Sequence, residues 1–240
     1  MITGCRLSKD DESPEVDQKL YKLMIGSLLY ATASRPDILH AVGLVERHHA
    51  APKENHLLAV KRIFRYLKGT TDFRLWYPKG NNLTLTAYID VDWAGDIDDR
   101  KSTSGGAFFL GECLVAWLSR KQSSVSLSTV EAEYIAAGAC YTQILWMRQT
   151  LDDIQVHYNE RITIWCDSTS VISISKNPVM HSKTKHIPIK YHFLREHVLE
   201  KIVKLEHIGT KDQVAYIFTK PLLKERFEYL RQKLGVITTP

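Results

Sequence analysis

The stretch "TLTAYIDVDWAGD", Thr84 to Asp96, decides the fold. Leu85, Ala87, Ile89 and Val91 alternate with Thr86, Tyr88, Asp90 and Asp92, the period of two that marks a β-strand with one apolar face. Both acids fall on the other, polar face. Same-face residues in a strand sit about 7 Å apart, and like charges at that spacing repel most in a partly closed cleft. Either a cation relieves them or the face is solvated. Working outward, 83–94, 106–110 and 114–119 read as three antiparallel strands separated by "GDIDDRKSTSG" and "GEC". "LSTVEAEYIAAGACYTQILWMRQTLDD" reads as a long helix and "RITIWCD" as a short buried strand. "STSVISISK" and "HIPIKYHFLREHVLEK", which starts near Pro188, read as helices, "IVKLEHI" as a last strand, and "KDQVAYIFTK" as the opening of another helix. This order predicts an α/β fold, a mixed five-stranded sheet with flanking helices.

Upstream, "YKLMIGSLLYATA", "RPDILHAVGLVERHH" and "NHLLAVKRIFRYLKGT" carry helical patterns, the last with Leu57, Leu58, Lys61, Phe64 and Leu67 in register before Gly69. The expected organisation is a loose polar leader at 1–19, a small helical unit at 20–80, the α/β unit at 83–222 and a helical tail at 223–240. "PKGNN", Pro78 to Asn82, marks the main boundary.

With 240 residues, 44% hydrophobic and 25% charged, the chain can bury a good core. It shows no apolar run of membrane-spanning length and no signal-peptide pattern at its start, so an intracellular location, cytoplasmic or nuclear, is expected. Cys5, Cys113, Cys140 and Cys166 are far apart, which points to reduced core thiols rather than zinc ligands or disulfides. The net charge of +5 is concentrated between His181 and Lys204, where six Lys or Arg face two Glu, alongside four of the ten histidines. Such a segment suits a polyanion or forms a solvated helix face.

Further acids stand at telling places. Ser128 and Glu131 fit a capping box, Glu131 returning to the Ser128 N–H. Glu133 shares a small apolar helix face with Ala137 and Cys140, where a lone acid needs a partner. Asp167 closes a β-branched strand at its carboxyl end, where open α/β sheets build their sites, although it could equally cap the next helix. The order Asp, Glu, Asp along strand, helix and strand is a stronger signal than any one of them.

"MIGSLLYATASRPDILHAV", "AVKRIFRYLKGTTDFRLWY", "DVDWAGDIDDRKSTSGGAFFLG", "VAWLSRKQSSVSLSTVEAEYIA", "KTKHIPIKYHFLRE" and "IFTKPLLKERFEYLRQKLGV" together resemble the copia-type retrotransposon polyprotein along nearly the whole chain. The resemblance implies that 20–80 corresponds to the thumb and connecting region ending a reverse transcriptase, and 83–222 to a ribonuclease H-like domain. The polymerase motif Tyr-x-Asp-Asp is missing: Asp-Asp pairs occur at 10–11, 98–99 and 152–153 without it. DNA synthesis by this chain is therefore not expected.

Ribonuclease H chemistry would cleave the RNA strand of an RNA/DNA hybrid with water activated at two Mg²⁺ ions, Mn²⁺ being an alternative; hard cations call for carboxylates. By resemblance Asp90, Glu133 and Asp167 would be catalytic metal ligands, with Asp90 bridging both ions and Asp92 ranking below it. His186, preferred over His181, would assist product release, and Lys183, Lys185, Lys190 and Arg195 would contact phosphates. The family's fourth acid, in "A-D-I-F-T-K", is replaced here by Tyr216 in "AYIFTK". Asp212, one helical turn earlier, could reach in, but a capping box of Thr210 and Gln213 is the better reading. Expected partners are an RNA/DNA hybrid and the remainder of a reverse transcriptase polyprotein. The alternative is a catalytically inactive remnant that binds nucleic acid or such a partner.

Overall fold

The computed structural model describes residues 7–80, 83–156, 160–176, 198–200 and 202–238. His181, Lys183, Lys185, His186, Pro188, Lys190 and Arg195 lie outside them, so their expected roles have no structural counterpart here. The first helices are α1 (Gln18–Ala31), α2 (Leu39–Glu46) and α3 (Glu54–Lys68). Asp17 starts α1 by accepting the Lys19 and Leu20 N–H groups at 2.8 and 3.2 Å. Gly69 ends α3 as expected. These helices bury Tyr21, Ile25, Leu28, Val42, Val45, Val60 and Ile63 against one another, each large side chain contributing about 1.5–3 kcal/mol.

Among its described residues, 7–19, the leader is tied to the rest of the chain. Ser8 Oγ donates to Asp98 at 2.8 Å, His56 Nε2 meets the Ser8 carbonyl at 2.9 Å, and Val16 N donates to Pro52 O at 3.2 Å. Its polar residues have partners on distant loops, which sequence proximity does not reveal.

A short strand, β1 (Phe73–Leu75), precedes the main sheet of β2 (Leu85–Asp92), β3 (Thr103–Leu110), β4 (Cys113–Lys121), β5 (Ile162–Cys166) and β6 (Val203–His207). The spatial order is β4-β3-β2-β5-β6, with β2 antiparallel to β3 and parallel to β5. The expected mixed five-stranded sheet is thus observed, with β3 starting three residues earlier than its pattern suggested. α4 (Thr129–Asp153) and α5 (Thr169–Lys176) cover one face, packing on Leu85, Ala87, Ile89, Phe108, Ile162 and Ile164.

The other face is not solvated. Tyr88, Ala107 and Phe109 pack under a 3₁₀ helix (Val214–Phe218) and α6 (Lys224–Lys233). Gln213 caps the start of the 3₁₀ helix, accepting from Ala215 N at 3.2 Å while donating to the Ile89 carbonyl at 2.8 Å. The Thr210–Gln213 capping box is therefore not formed. The C-terminal segment is more than a helix: after Gly235, whose φ of +81° allows the turn, β7 (Val236–Thr238) pairs antiparallel with β1.

Asp96 ties α2 to the β2–β3 loop and β4: its Oδ2 lies 3.0 Å from Arg47 and 2.7 Å from Lys121. Burial alone would raise this carboxyl, but Lys121 and the Asp98 and Asp99 N–H groups bring it down to about 2. A folded-state value below the unfolded one, about 3.9, means stability present above about pH 4 and lost as the pH falls toward 2. Asp96→Asn should cost about 2 kcal/mol at pH 7 and flatten the acid limb of urea denaturation. A second prediction concerns Gly105 on β3, where a methyl would come within 2.6 Å of Thr219 Cγ2 and 3.0 Å of the Ala215 carbonyl. Gly105→Ala should destabilise the fold by about 1–3 kcal/mol, read by thermal melting.

Candidate active site

The parallel pairing of β2 with β5 sets Ile89 opposite Cys166. The next residues, Asp90 and Asp167, are thereby delivered to the same end of the sheet. α4 brings the third acid. Its N-terminus is capped by Ser128, whose Oγ accepts the Glu131 N–H at 3.2 Å, while the Glu131 carboxylate returns to Leu127 N at 2.7 Å. The box thus closes one residue before the expected Ser128. Two residues on, Glu133 projects from the stripe that buries Ala137 and Cys140.

Asp90 is 1% exposed. Its Oδ2 accepts the Thr219 hydroxyl and lies 3.5 Å from Lys220 Nζ. Asp167 Oδ2 accepts the Tyr216 phenol at 3.3 Å, and Lys220 Nζ sits 4.1 Å from the centre of the Tyr216 ring. The donor atoms of Glu133, Cys166 and Asp167 all lie within 4.8 Å of one another. Asp90 flanks this group, held by Thr219 and Lys220.

The electrostatics are those of crowded anions. Burial, then the Asp90 and Asp167 charges, push the Glu133 carboxyl up to about 9. Burial pushes Asp90 up to about 6 against the pull of Lys220 and Thr219. Burial would lower the Lys220 ammonium, yet Asp90 and Tyr216 carry it above its ordinary value. Tyr216 is itself raised by burial and stays a neutral phenol. One oxygen of each acid, Asp90 Oδ1, Glu133 Oε2 and Asp167 Oδ1, is buried with no hydrogen-bond partner among the described residues. Buried acceptors left open in this way cost free energy that an oxygen-seeking divalent cation would return. The donor set fits such an ion.

Of the residues singled out in the sequence, Asp90, Glu133, Asp167 and Tyr216 converge. Asp92 does not join them: its carboxylate folds back over the turn, so close that a methyl on Gly95 would overlap its Oδ2. Asp212 stands before the 3₁₀ helix, and its charge is felt by Tyr88. Three further residues at the site, Thr219, Lys220 and Cys166, went unassigned to it. The first two follow "AYIF" directly, and their adjacency to Tyr216 was a usable signal. Cys166 is a buried thiol, as expected of the cysteines, but its neighbour Asp167 places it beside the acids.

This sheet, with three acids at one end, defines the ribonuclease H-like class of α/β fold. Over all 240 residues the chain is 39% identical to the retrovirus-related Pol polyprotein from transposon RE1 of Arabidopsis thaliana, of which it spans 16%. It is 41% identical over 217 residues, 90% of the chain and 16% of the relative, to the corresponding polyprotein from transposon TNT 1-94 of Nicotiana tabacum. The chain is thus similar to copia-type retrotransposon polyproteins and spans about a sixth of their length. No family model matches it. Among solved structures, the foamy viral protease-reverse transcriptase in complex with RNA/DNA hybrid superposes with a TM-score of 0.51 at 10% identity, covering 84% of this chain and 26% of that one. At that identity the likeness concerns the fold.

Thr219 tests the electrostatic account. Thr219→Val keeps the shape but leaves Asp90 without its hydroxyl donor, so stability at pH 7 should fall by about 1–3 kcal/mol, measured by urea denaturation.

Proposed function

We propose that this chain is a metal-dependent ribonuclease H that hydrolyses the RNA strand of RNA/DNA hybrids as part of a retrotransposon polyprotein. The observation that carries the reading is the trio of buried carboxylate oxygens without partners, on Asp90, Glu133 and Asp167, at one end of this sheet. Asp90, Glu133 and Asp167 would hold the divalent cations, two Mg²⁺ or Mn²⁺. Such ions, when bound, acidify the attacking water and stabilise charge on the scissile phosphate. The chain's own residues supply the rest. Burial strengthens every interaction at Asp90 by excluding water, Thr219 fixes the orientation of its carboxylate, and Tyr216 fixes that of Asp167. In this reading Tyr216 stands where the family carries a fourth acid, so one ligand is missing and turnover is weakened.

The basic segment holding Lys183, Lys185, His186, Lys190 and Arg195 remains our assignment for phosphate contact and product release. A protein partner is supported by α1, where Leu20, Leu23 and Tyr30 are 50%, 63% and 87% exposed; the remainder of the reverse transcriptase polyprotein is the partner we assign to them.

A second reading has its own observation. The Tyr216 hydrogen bond to Asp167 and the Lys220 contact with Asp90 occupy oxygens that ions would need, as in a nucleic-acid-binding remnant without activity. One assay separates the two. Purified chain should cleave the RNA of a labelled hybrid in Mg²⁺ or Mn²⁺, and Asp90→Asn should abolish cleavage while hybrid binding persists. Tyr216→Asp should raise the rate by about tenfold, the scale of one recovered ligand interaction of 1.4 kcal/mol. Binding of the hybrid without cleavage by parent and Tyr216→Asp alike would establish the remnant.

A further inference from the structure

We propose that Lys220 is a positioning residue that serves as the resident counter-cation of the acid cluster: docked on the Tyr216 ring, its ammonium holds Asp90 until an incoming divalent cation displaces it. This rests on the reading of the three acids as a divalent-cation site, and it deepens that reading by naming what the cation must compete with.

Four observations converge on it. Lys220 Nζ is 3.5 Å from Asp90 Oδ2, and Asp90 is among the least exposed acids described. The same ammonium lies 4.1 Å from the Tyr216 ring centre, within cation–π range. Both side chains come from one turn, because the Thr219 and Lys220 N–H groups each donate to the Tyr216 carbonyl at 3.2 Å. Asp90, finally, stays outside the group of donors within 4.8 Å formed by Glu133, Cys166 and Asp167.

The consequence follows from charge balance. Lys220 contacts Asp90 and feels the charges of Asp92 and Asp167 as well, and its own charge favours the ionised form of Glu133. A tethered cation at this point compensates the anions without any ion from solution. It also opposes a second cation at Asp90, since two positive charges a few ångström apart repel. Tyr216 makes the arrangement possible: an acid at position 216 would draw the ammonium by charge, whereas the neutral ring holds it by its face and leaves its charge for Asp90. The tether can release. Lys220 is 30% exposed at its side chain and lines the cleft of about 390 Å³ formed with Asp92, Trp93 and Arg47, which gives the ammonium a wet place to go.

The test is calorimetric titration of the full-length chain with MnCl₂, without nucleic acid, alongside thermal melting in chelator and in saturating Mn²⁺. Lys220→Met should bind Mn²⁺ about tenfold more tightly than the parent and melt lower in chelator, with the difference in melting closing as Mn²⁺ saturates. Lys220→Arg, which keeps the charge, should restore the parent affinity. Tyr216→Leu, which keeps the ammonium but removes its platform, should tighten binding by a smaller factor. If Lys220→Met folds only with Mn²⁺ present, the metal has replaced the lysine and the proposal stands. Unchanged or weaker Mn²⁺ binding by Lys220→Met or Tyr216→Leu, in folded protein, overturns the counter-cation role alone. Absence of Mn²⁺ binding by parent and every variant overturns the divalent-cation reading itself, and the proposal with it.

Discussion

The structure depends on keeping one carboxylate, Asp90, almost wholly out of water at the end of the central strand of a sheet. An ionised carboxylate in such a place costs several kcal/mol unless it is paired and hydrogen-bonded. Thr219 supplies the hydrogen bond and Lys220 the charge. Both come from the exit of one 3₁₀ helix, so that short element cannot move without exposing the cost. Gln213 at its entry is anchored to the Ile89 carbonyl, one residue before Asp90. The helix is thus pinned at both ends to the strand that carries the acid.

The pinning propagates through packing. Gly105, directly opposite Asp90 on β3, has no side chain, and Thr219 and Phe218 fill the space a methyl would need. On the opposite face Gly106 does the same for the Cys140 thiol of α4, whose sulfur would lie 2.9 Å from a methyl there. Two adjacent glycines therefore let one strand be approached closely from both sides. Close approach above and below brings the α4 acid, Glu133, and the 3₁₀ helix to the same end of β2 and β5. From there the core extends outward: Phe218 and Ile217 join Leu230, Leu234 and Val236, and β7 returns to β1, linking the last described residues to the segment just after α3.

Much of this was legible in order and little of it in contact. The alternation from Leu85 to Asp92 fixes the strand, because a period of two has few competing explanations over eight residues. The positions of Glu133 and Asp167 at a helix start and a strand end were equally readable, since caps and strand ends are local features. What escaped was everything set by chain segments far apart. The polar face of β2 read as open because its cover lies more than a hundred residues away, in "VAYIF", whose pattern gave no sign of the 3₁₀ helix that Gln213 caps. The leader read as loose because its partners, Asp98 and His56, are on other loops. Thr219 and Lys220 went unassigned for a different reason. They carry no acid or thiol to mark them as metal ligands, and their part in the site rests on long-range contact with Asp90.

Tyr216 shows why such neutralising groups matter as much as ligands. An acid at that point would add a negative charge to a cluster that burial already crowds, whereas the phenol supplies a hydrogen-bond donor. The phenol donates to Asp167 and offers its ring to Lys220, so the anions left, Asp90 and Asp167, each gain a fixed partner within the chain. A site arranged in this way is better compensated by the chain itself than one with an acid at position 216 would be. Its remaining demand for a cation is expressed by three oxygens, Asp90 Oδ1, Glu133 Oε2 and Asp167 Oδ1, which none of these partners reaches. On the proposed reading, the balance between those open oxygens and the ammonium of Lys220 would set how strongly a divalent ion is held.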